Sequence, residues 1–238
     1  MRYLAIGDIH GCFKALTTLA EFVPFYPHDV VITLGDYVDR GPNSRAVLDW
    51  LIFWKQRNKL VALRGNHELM MLSARRSSEE LSYWTGVGGD ATLASYSARA
   101  DSEVRPFQHN QLTNVPESHW QFLQETLPFF ETERHFFVHA NAQADCPLSE
   151  QPDYMLYWEP FVAPPPHQSG KVMVCGHTSQ KTGRPLSIGH AICIDTWAYG
   201  KGWLTCLDVE TGEYWQANQQ GETRWDFLEE ETGWRRKR

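Results

Sequence analysis

The sequence has little of what marks a secreted, disulfide-held or membrane protein. Only five of its 238 residues are cysteine (Cys12, Cys146, Cys175, Cys193 and Cys206), and no two form a CxxC pair. An odd number without metal-type spacing argues against a disulfide framework and predicts free thiols in a reducing compartment. Long hydrophobic runs are missing too. Met1 and Arg2 lead into the apolar residues 3–6, a stretch far too short for a signal peptide or a membrane span, so the expected location is the cytoplasm. Positive charge is scarce, with 22 Lys+Arg against 29 Asp+Glu and a formal net charge of -7. That balance disfavours nucleic acid or an anionic membrane as the partner. A small phosphorylated substrate stays compatible, because a metal site can supply positive charge locally. Internal repeats and low-complexity domains are absent.

What is present reads as one α/β domain. Hydrophobic residues make up 42% and charged residues 21%, an ordinary globular balance. Short apolar runs at residues 3–6, 30–34, 60–63, 136–138 and 172–175 predict buried strands. Helical spacing appears at residues 12–22 (Phe13, Leu16, Leu19, Ala20) and 43–55 (Ala46, Val47, Leu48, Leu51, Trp54), the second just after Pro42. Strand, helix, strand, helix, strand predicts a parallel sheet. Residues 191–194 and 203–209, with a return at 213–216 after the Thr211-Gly212 turn, suggest a mainly antiparallel second sheet packed on the first. Residues 1–216 are thus expected to form the catalytic domain and 217–238 a polar, solvated tail. A long stretch, 73–110, carries a Gly86-Val87-Gly88-Gly89 turn between helical pieces and is expected to wall a pocket. A proline-rich loop spans 163–170.

The strand ends carry the chemistry. Asp8, Asp36, Asn66, His139 and His177 follow the apolar runs, and ligands in open α/β sheets gather outside the carboxyl ends of strands. GDIHG (7–11) sets Asp8 and His10 two residues apart. GDYVDRG (35–41) adds Asp36, Asp39 and Arg40. RGNHE (64–68) adds Arg64, Asn66, His67 and Glu68. Clustered carboxylates repel one another, and a cation at their centre relieves the repulsion. Asp, Asn and His together suit manganese, iron, cobalt or zinc better than calcium. Taken singly, each motif could be a turn, a salt-bridged loop or a helix cap. Three glycine-flanked motifs in order, each after a strand, are much harder to dismiss.

These blocks, with His139-Ala140 and Gly176-His177-Thr178, resemble the signatures of the metallophosphoesterases. Within them they look most like the phosphoprotein phosphatase family and its bacterial and lambda-phage-type members. The resemblance covers about residues 1–216. It implies a calcineurin-like α/β sandwich of two mixed sheets flanked by helices. It further implies two divalent ions, manganese first with iron or zinc as alternatives. Asp8 and His10 would hold the first ion, Asp36 would bridge both, and Asn66, His139 and His177 would hold the second. His67 would be the general acid, oriented by Asp39, and Arg40 and Arg64 would grip phosphate oxygens. The implied reaction is phosphate-ester hydrolysis by in-line attack of a metal-bridging hydroxide. One departure stands out: where phage-type relatives carry an arginine after a tryptophan, this chain reads Trp158-Glu159-Pro160.

The leading expectation is a protein serine/threonine phosphatase acting on a phosphorylated protein or small phosphoester. The alternative is a dinucleoside polyphosphate hydrolase. Such enzymes share the metal centre but usually lack the second carboxylate that Asp39 provides. A nuclease fits the acidic charge poorly, and a non-catalytic binding module would be expected to have lost ligands.

Overall fold

Every apolar run noted above becomes a strand, in whole or in large part. The computed structural model describes residues 1–97 and 109–229. Its strands are β1 (Tyr3–Ile6), β2 (Val30–Thr33), β3 (Lys59–Ala62), β4 (Phe129–Glu131), β5 (His135–Val138), β6 (Val172–Cys175), β7 (Leu186–Ser187), β8 (Ala191–Cys193), β9 (Leu204–Asp208), β10 (Glu213–Ala217) and β11 (Thr223–Phe227). One sheet has the order β11-β10-β9-β1-β2-β3 and the other β4-β5-β6-β8-β7. β1, β2 and β3 run parallel, joined by the expected helices α1 (Phe13–Phe22) and α2 (Ser44–Lys55).

Burial on both faces explains the unbroken apolar runs of the central strands. Leu4 and Ile6 of β1 face the helices, among Leu16, Leu19, Val47 and Leu51. Ala5, between them, faces the other sheet with Ile32, Phe137, Val174, Ile192 and Leu207. The strand period of two thus splits one run between two cores. The second sheet covers the inner face of the first and packs its own outer face on Leu148, Leu156, Tyr157 and Phe161.

Two expectations are corrected. The C-terminal hairpin does not build the second sheet. β9 pairs antiparallel with β1 and carries β10 with it, so both extend the first sheet. Residues 191–193 do lie in the second sheet, where β5, β6 and β8 are mutually parallel. The physical reason lies in β9, whose Leu207 points to the inter-sheet core while Leu204 and Cys206 point to the helices. A strand buried on both faces belongs inside a layered sheet. The second correction concerns the tail. Ala217 lies within β10, and β11 pairs with β10 from Glu213↔Phe227 to Ala217↔Thr223. Among the described residues β11 is an edge strand with one partner and a largely exposed surface, Trp225 being 58% exposed, so its composition is polar.

The remaining helices are α3 (Asn66–Ser73), α4 (Ser78–Trp84), α5 (Asp90–Tyr96), α6 (Glu117–Gln124) and α7 (Asp153–Tyr157). α4 opens on a Ser77 hydroxyl that accepts the Glu80 N–H at 3.2 Å. The stretch expected at 73–110 therefore contains α4, the glycine turn and α5, while residues 98–108 lie outside the described ones. All five cysteines are free, and Cys12, Cys175, Cys193 and Cys206 are buried. Among the described residues, no helix is long and apolar enough to cross a membrane.

Candidate metal centre

The sandwich delivers its polar residues at one end, from both sheets. The loops after β1 and β2 are laced together by the Ile9 and His10 N–H groups, both donating to the Asp36 carbonyl at 3.0 and 2.7 Å. Glu68, at the start of α3, clamps the next pair. Its Oε2 accepts the N–H of Asp36 at 2.8 Å and of Gly65 at 2.9 Å, and its Oε1 accepts that of Tyr37 at 2.8 Å. Burial, followed by the nearby Asp36 charge, pushes this carboxyl up to about 7, while the three N–H bonds favour its charged form. Glu68→Gln places an amide N–H₂ against one of these donors. It is expected to cost about 2–3 kcal/mol, lowering the melting temperature by roughly 5–10 °C in a thermal unfolding scan.

Backbone strain concentrates here. Among the described residues seven non-glycine positions have positive φ, and five of them are His10, Asp36, Asp39, Arg40 and His177. Such conformations are costly for side chains other than glycine and gather at functional sites. Space is equally tight. A Cβ on Gly65 would lie 2.2 Å from Asp36 Oδ1, and one on Gly176 would lie 2.0 Å from Asp8 Oδ1. These two glycines let the loops close on the carboxylates.

Two groups of potential ligands result: His10, Asp36 and His67, and Asp36, His139 and His177. Asp36 belongs to both. Its Oδ2 lies 3.3 Å from His10 Nε2, and its Oδ1 lies 3.5 Å from His139 Nε2. Backbone carbonyls set the tautomers, because a carbonyl can only accept. His10 Nδ1–H donates to Val38 at 2.9 Å, His139 Nδ1–H to Leu34 at 2.8 Å, and His177 Nε2–H to Trp158 at 3.2 Å. The other nitrogen of each ring then turns a lone pair inward. Asn66 Oδ1 meets two of those nitrogens, His139 Nε2 at 2.9 Å and His177 Nδ1 at 3.2 Å. Three acceptors facing one another without a proton to share make an arrangement that a cation stabilises. The donor set therefore fits divalent ions.

Electrostatics point the same way. Burial lowers His10 well below its ordinary range, and burial with the neighbouring His139 lowers His177 to about 4, so both stay neutral as ligands must. Burial acts to raise Asp36, but His139, His67, His10 and His177 outweigh it and hold it well below the usual carboxylate range. Asp8 differs. Burial first, then Asp195 and Asp36, raise its carboxyl well above normal, and both of its oxygens face the His177 backbone N–H at 3.0 and 3.2 Å. Asp8 stands beside the two groups and belongs to neither, whereas it was expected to share an ion with His10.

His67 and Asp39 form the expected pair. Nδ1 of His67 lies 2.7 Å from Asp39 Oδ2, and both residues are buried. Burial lowers His67, but Asp36 and then Asp39 overcome it, leaving its pKa raised. Arg40 lies at the rim with NH1 2.9 Å from His10 Nε2 and its guanidinium 4.6 Å over the Tyr199 ring. Arg64 does not join it. Its Nε donates to Thr126 Oγ1 at 2.9 Å, and its NH2 donates to the carbonyls of Gln124 at 2.7 Å and Thr126 at 2.9 Å. These bonds tie the end of β3 to the end of α6 through Nε and NH2.

A family profile described as calcineurin-like phosphoesterase matches residues 1–192. The chain belongs to the calcineurin-like phosphoesterase family. Serine/threonine-protein phosphatase 1 of Salmonella typhimurium is 39% identical over 101 residues, 41% of this chain and 44% of that protein. A symmetrical bis(5'-nucleosyl)-tetraphosphatase of Pseudomonas syringae is 40% identical over 82 residues, 34% of this chain and 28% of that protein. The chain thus spans less than half the length of these curated relatives. Among solved structures, a cold-active protein-tyrosine phosphatase of a psychrophilic Shewanella superposes with a TM-score of 0.62 at 15% identity, covering 94% of this chain and 80% of that one.

Within this calcineurin-like phosphoesterase fold, two further residues, Asp195 and Tyr199, lie at the site outside the three sequence motifs. Asp195, after β8, is buried beside Asp8 and accepts the Ser179 hydroxyl at 2.7 Å and the Trp197 N–H at 2.9 Å. Tyr199 lies edge-on to His10 with ring centroids 4.8 Å apart. The position of Asp195 directly after an apolar run, like that of Asp8 or His177, was the cue available for it; Tyr199 had none.

Proposed function

We propose that this protein is a two-metal phosphatase that releases phosphate from phosphoserine or phosphothreonine in proteins. The observation that carries this reading is the pair of ligand groups sharing Asp36. Asp36, Asn66, His139 and His177 would hold one ion. His10, Asp36 and Asp8 would hold the other. When bound, two divalent ions, manganese first, supply Lewis acidity toward water and the phosphoryl oxygens. The chain's own residues do the rest. Asp39 fixes His67 Nδ1 so that Nε2 faces the shared carboxylate, 4.0 Å from Asp36 Oδ2. From there Nε2–H can give its proton to the leaving alkoxide. Arg40, held at the rim by Tyr199, offers forked donors to phosphate oxygens.

A second reading, hydrolysis of dinucleoside polyphosphates, is supported by the similarity to the Pseudomonas enzyme. The buried Asp39–His67 bond favours the first, since an alkoxide leaving group needs an acid more than a nucleotide phosphate does. The test uses metal-stripped protein with p-nitrophenyl phosphate, a phosphoserine peptide and a dinucleoside tetraphosphate, each with and without Mn²⁺. Manganese-dependent phosphate release from the first two is expected. Preference for the dinucleotide would move the assignment to the second reading, and inactivity on all three would remove both.

A further inference from the structure

The glycine-turn segment joins two helices that grip the loop after β2 at Asp39. Asp39 is fully buried, and its carboxylate is bonded on both oxygens. Oδ2 accepts the Trp84 indole N–H at 2.7 Å, alongside the His67 bond of equal length. Oδ1 accepts the Thr92 hydroxyl at 2.7 Å. The same hydroxyl accepts the Asp39 N–H at 2.8 Å and lies 2.9 Å from Ser44 Oγ. Trp84 ends α4 and Thr92 lies in the first turn of α5, so two helices outside both sheets meet on one carboxylate. The turn between them is built for this meeting. A Cβ on Gly89 would lie 2.5 Å from the Trp84 ring, so glycine lets the indole lie against the backbone there. Gly88, at φ 119°, gives its carbonyl to the Arg40 N–H at 3.0 Å.

We propose that Trp84 and Thr92 are positioning residues that pin the Asp39 carboxylate and thereby aim His67. The assignment rests on His67 acting as the acid in phosphate-ester hydrolysis. A carboxylate can rotate about its Cβ–Cγ bond, and a rotated Asp39 would let the imidazole turn with it. Donors on both oxygens remove that freedom. The indole N–H sets the plane from one side, and the threonine hydroxyl sets it from the other while also holding the Asp39 backbone. Charge-assisted bonds of this length, in a site closed to water, are the strong ones. Their bonds reach the loop after β2 at Asp39 and not at the ligand Asp36, so the effect should appear in proton delivery rather than in ion binding or substrate affinity.

The test compares Trp84→Phe, Thr92→Val and Thr92→Ser with the native enzyme. Turnover is measured on a phosphoserine peptide and on p-nitrophenyl phosphate at saturating Mn²⁺. Trp84→Phe and Thr92→Val should lower kcat on the peptide roughly 10-fold with KM within about twofold, because small misplacements of a reacting group carry losses of this order. The aryl ester, whose leaving group needs little protonation, should lose less than about threefold. Thr92→Ser keeps the hydroxyl and should keep native turnover. Thr92→Val is nearly isosteric, so the Val/Ser pair decides the matter if Trp84→Phe does not fold. A second readout needs neither metal nor turnover. The His67 Nδ1 proton, identified in NMR spectra by its loss in His67→Asn, should broaden through exchange with water in Trp84→Phe and Thr92→Val and persist in Thr92→Ser. Equal losses on both esters, native turnover in Thr92→Val, or an unchanged His67 proton would overturn the assignment. An inactive native enzyme would sink the phosphatase reading and leave the spectra to judge the positioning.

Discussion

Asp36→Asn is expected to abolish turnover and to empty both metal positions together. The reason is geometric. Asp36 is the one residue common to the two ligand groups, with Oδ2 turned to His10 and Oδ1 to His139. Replacing one oxygen by an amide nitrogen removes the negative charge that both ions share. Whichever way the amide turns, it presents N–H₂ to one of them. Residues that merely support a ligand change metal affinity by roughly 10–100-fold when altered, so loss of a shared ligand should exceed about 100-fold at both positions. The measurement is metal content after dialysis against a defined concentration of free Mn²⁺, together with turnover of p-nitrophenyl phosphate. The native protein should retain two equivalents and the variant close to none. The fold should survive, because the Asp36 backbone N–H and carbonyl, which carry the Glu68 and His10 contacts, are unchanged. Retention of one ion would mean that the two positions are not joined through Asp36, and full activity would take Asp36 out of the centre.

The contrast between Asp36 and Asp39 shows what sequence could tell. Both stand in one glycine-bounded block after a buried strand, and that block, in order with the two others, was enough to mark them. Local pattern also sufficed for β1, α1, β2, α2 and β3, because each is a short apolar element and the three strands pair in sequence order. Legibility failed where a partner lies far along the chain. Thr92 is 53 residues from Asp39, and nothing in its neighbourhood announces that its hydroxyl turns to a carboxylate. β9 looks the same whether it starts a new sheet or joins β1, and only the requirement to bury Leu207 and Cys206 on opposite faces decides. Arg64 shows another contact that local pattern hides. It sits in a block rich in site residues, but three acceptors at Gln124 and Thr126 claim its guanidinium. β11 was missed because an edge strand, solvated on one side, needs no apolar alternation.

His67→Asn should lower kcat on a phosphoserine peptide roughly 10²–10⁴-fold, the usual range for loss of a positioned general acid. The structure makes the accompanying metal analysis as informative as the rate. His67 shares a ligand group with His10 and Asp36, and a carboxylate bonded to the far nitrogen of an imidazole serves metal ligands as well as acids. Two observations favour the acid. His67 Nε2 lies 4.0 Å from Asp36 Oδ2, farther than the 3.3 Å of His10, and its pKa is raised where those of His10 and His177 are lowered. A ring inclined to keep its proton is a poor ligand and a good donor. The variant should therefore hold both ions and act nearly normally on p-nitrophenyl phosphate, whose leaving oxygen needs no proton. If instead one ion is lost and both esters suffer equally, His67 is a ligand, and the protonation of the leaving group falls to water.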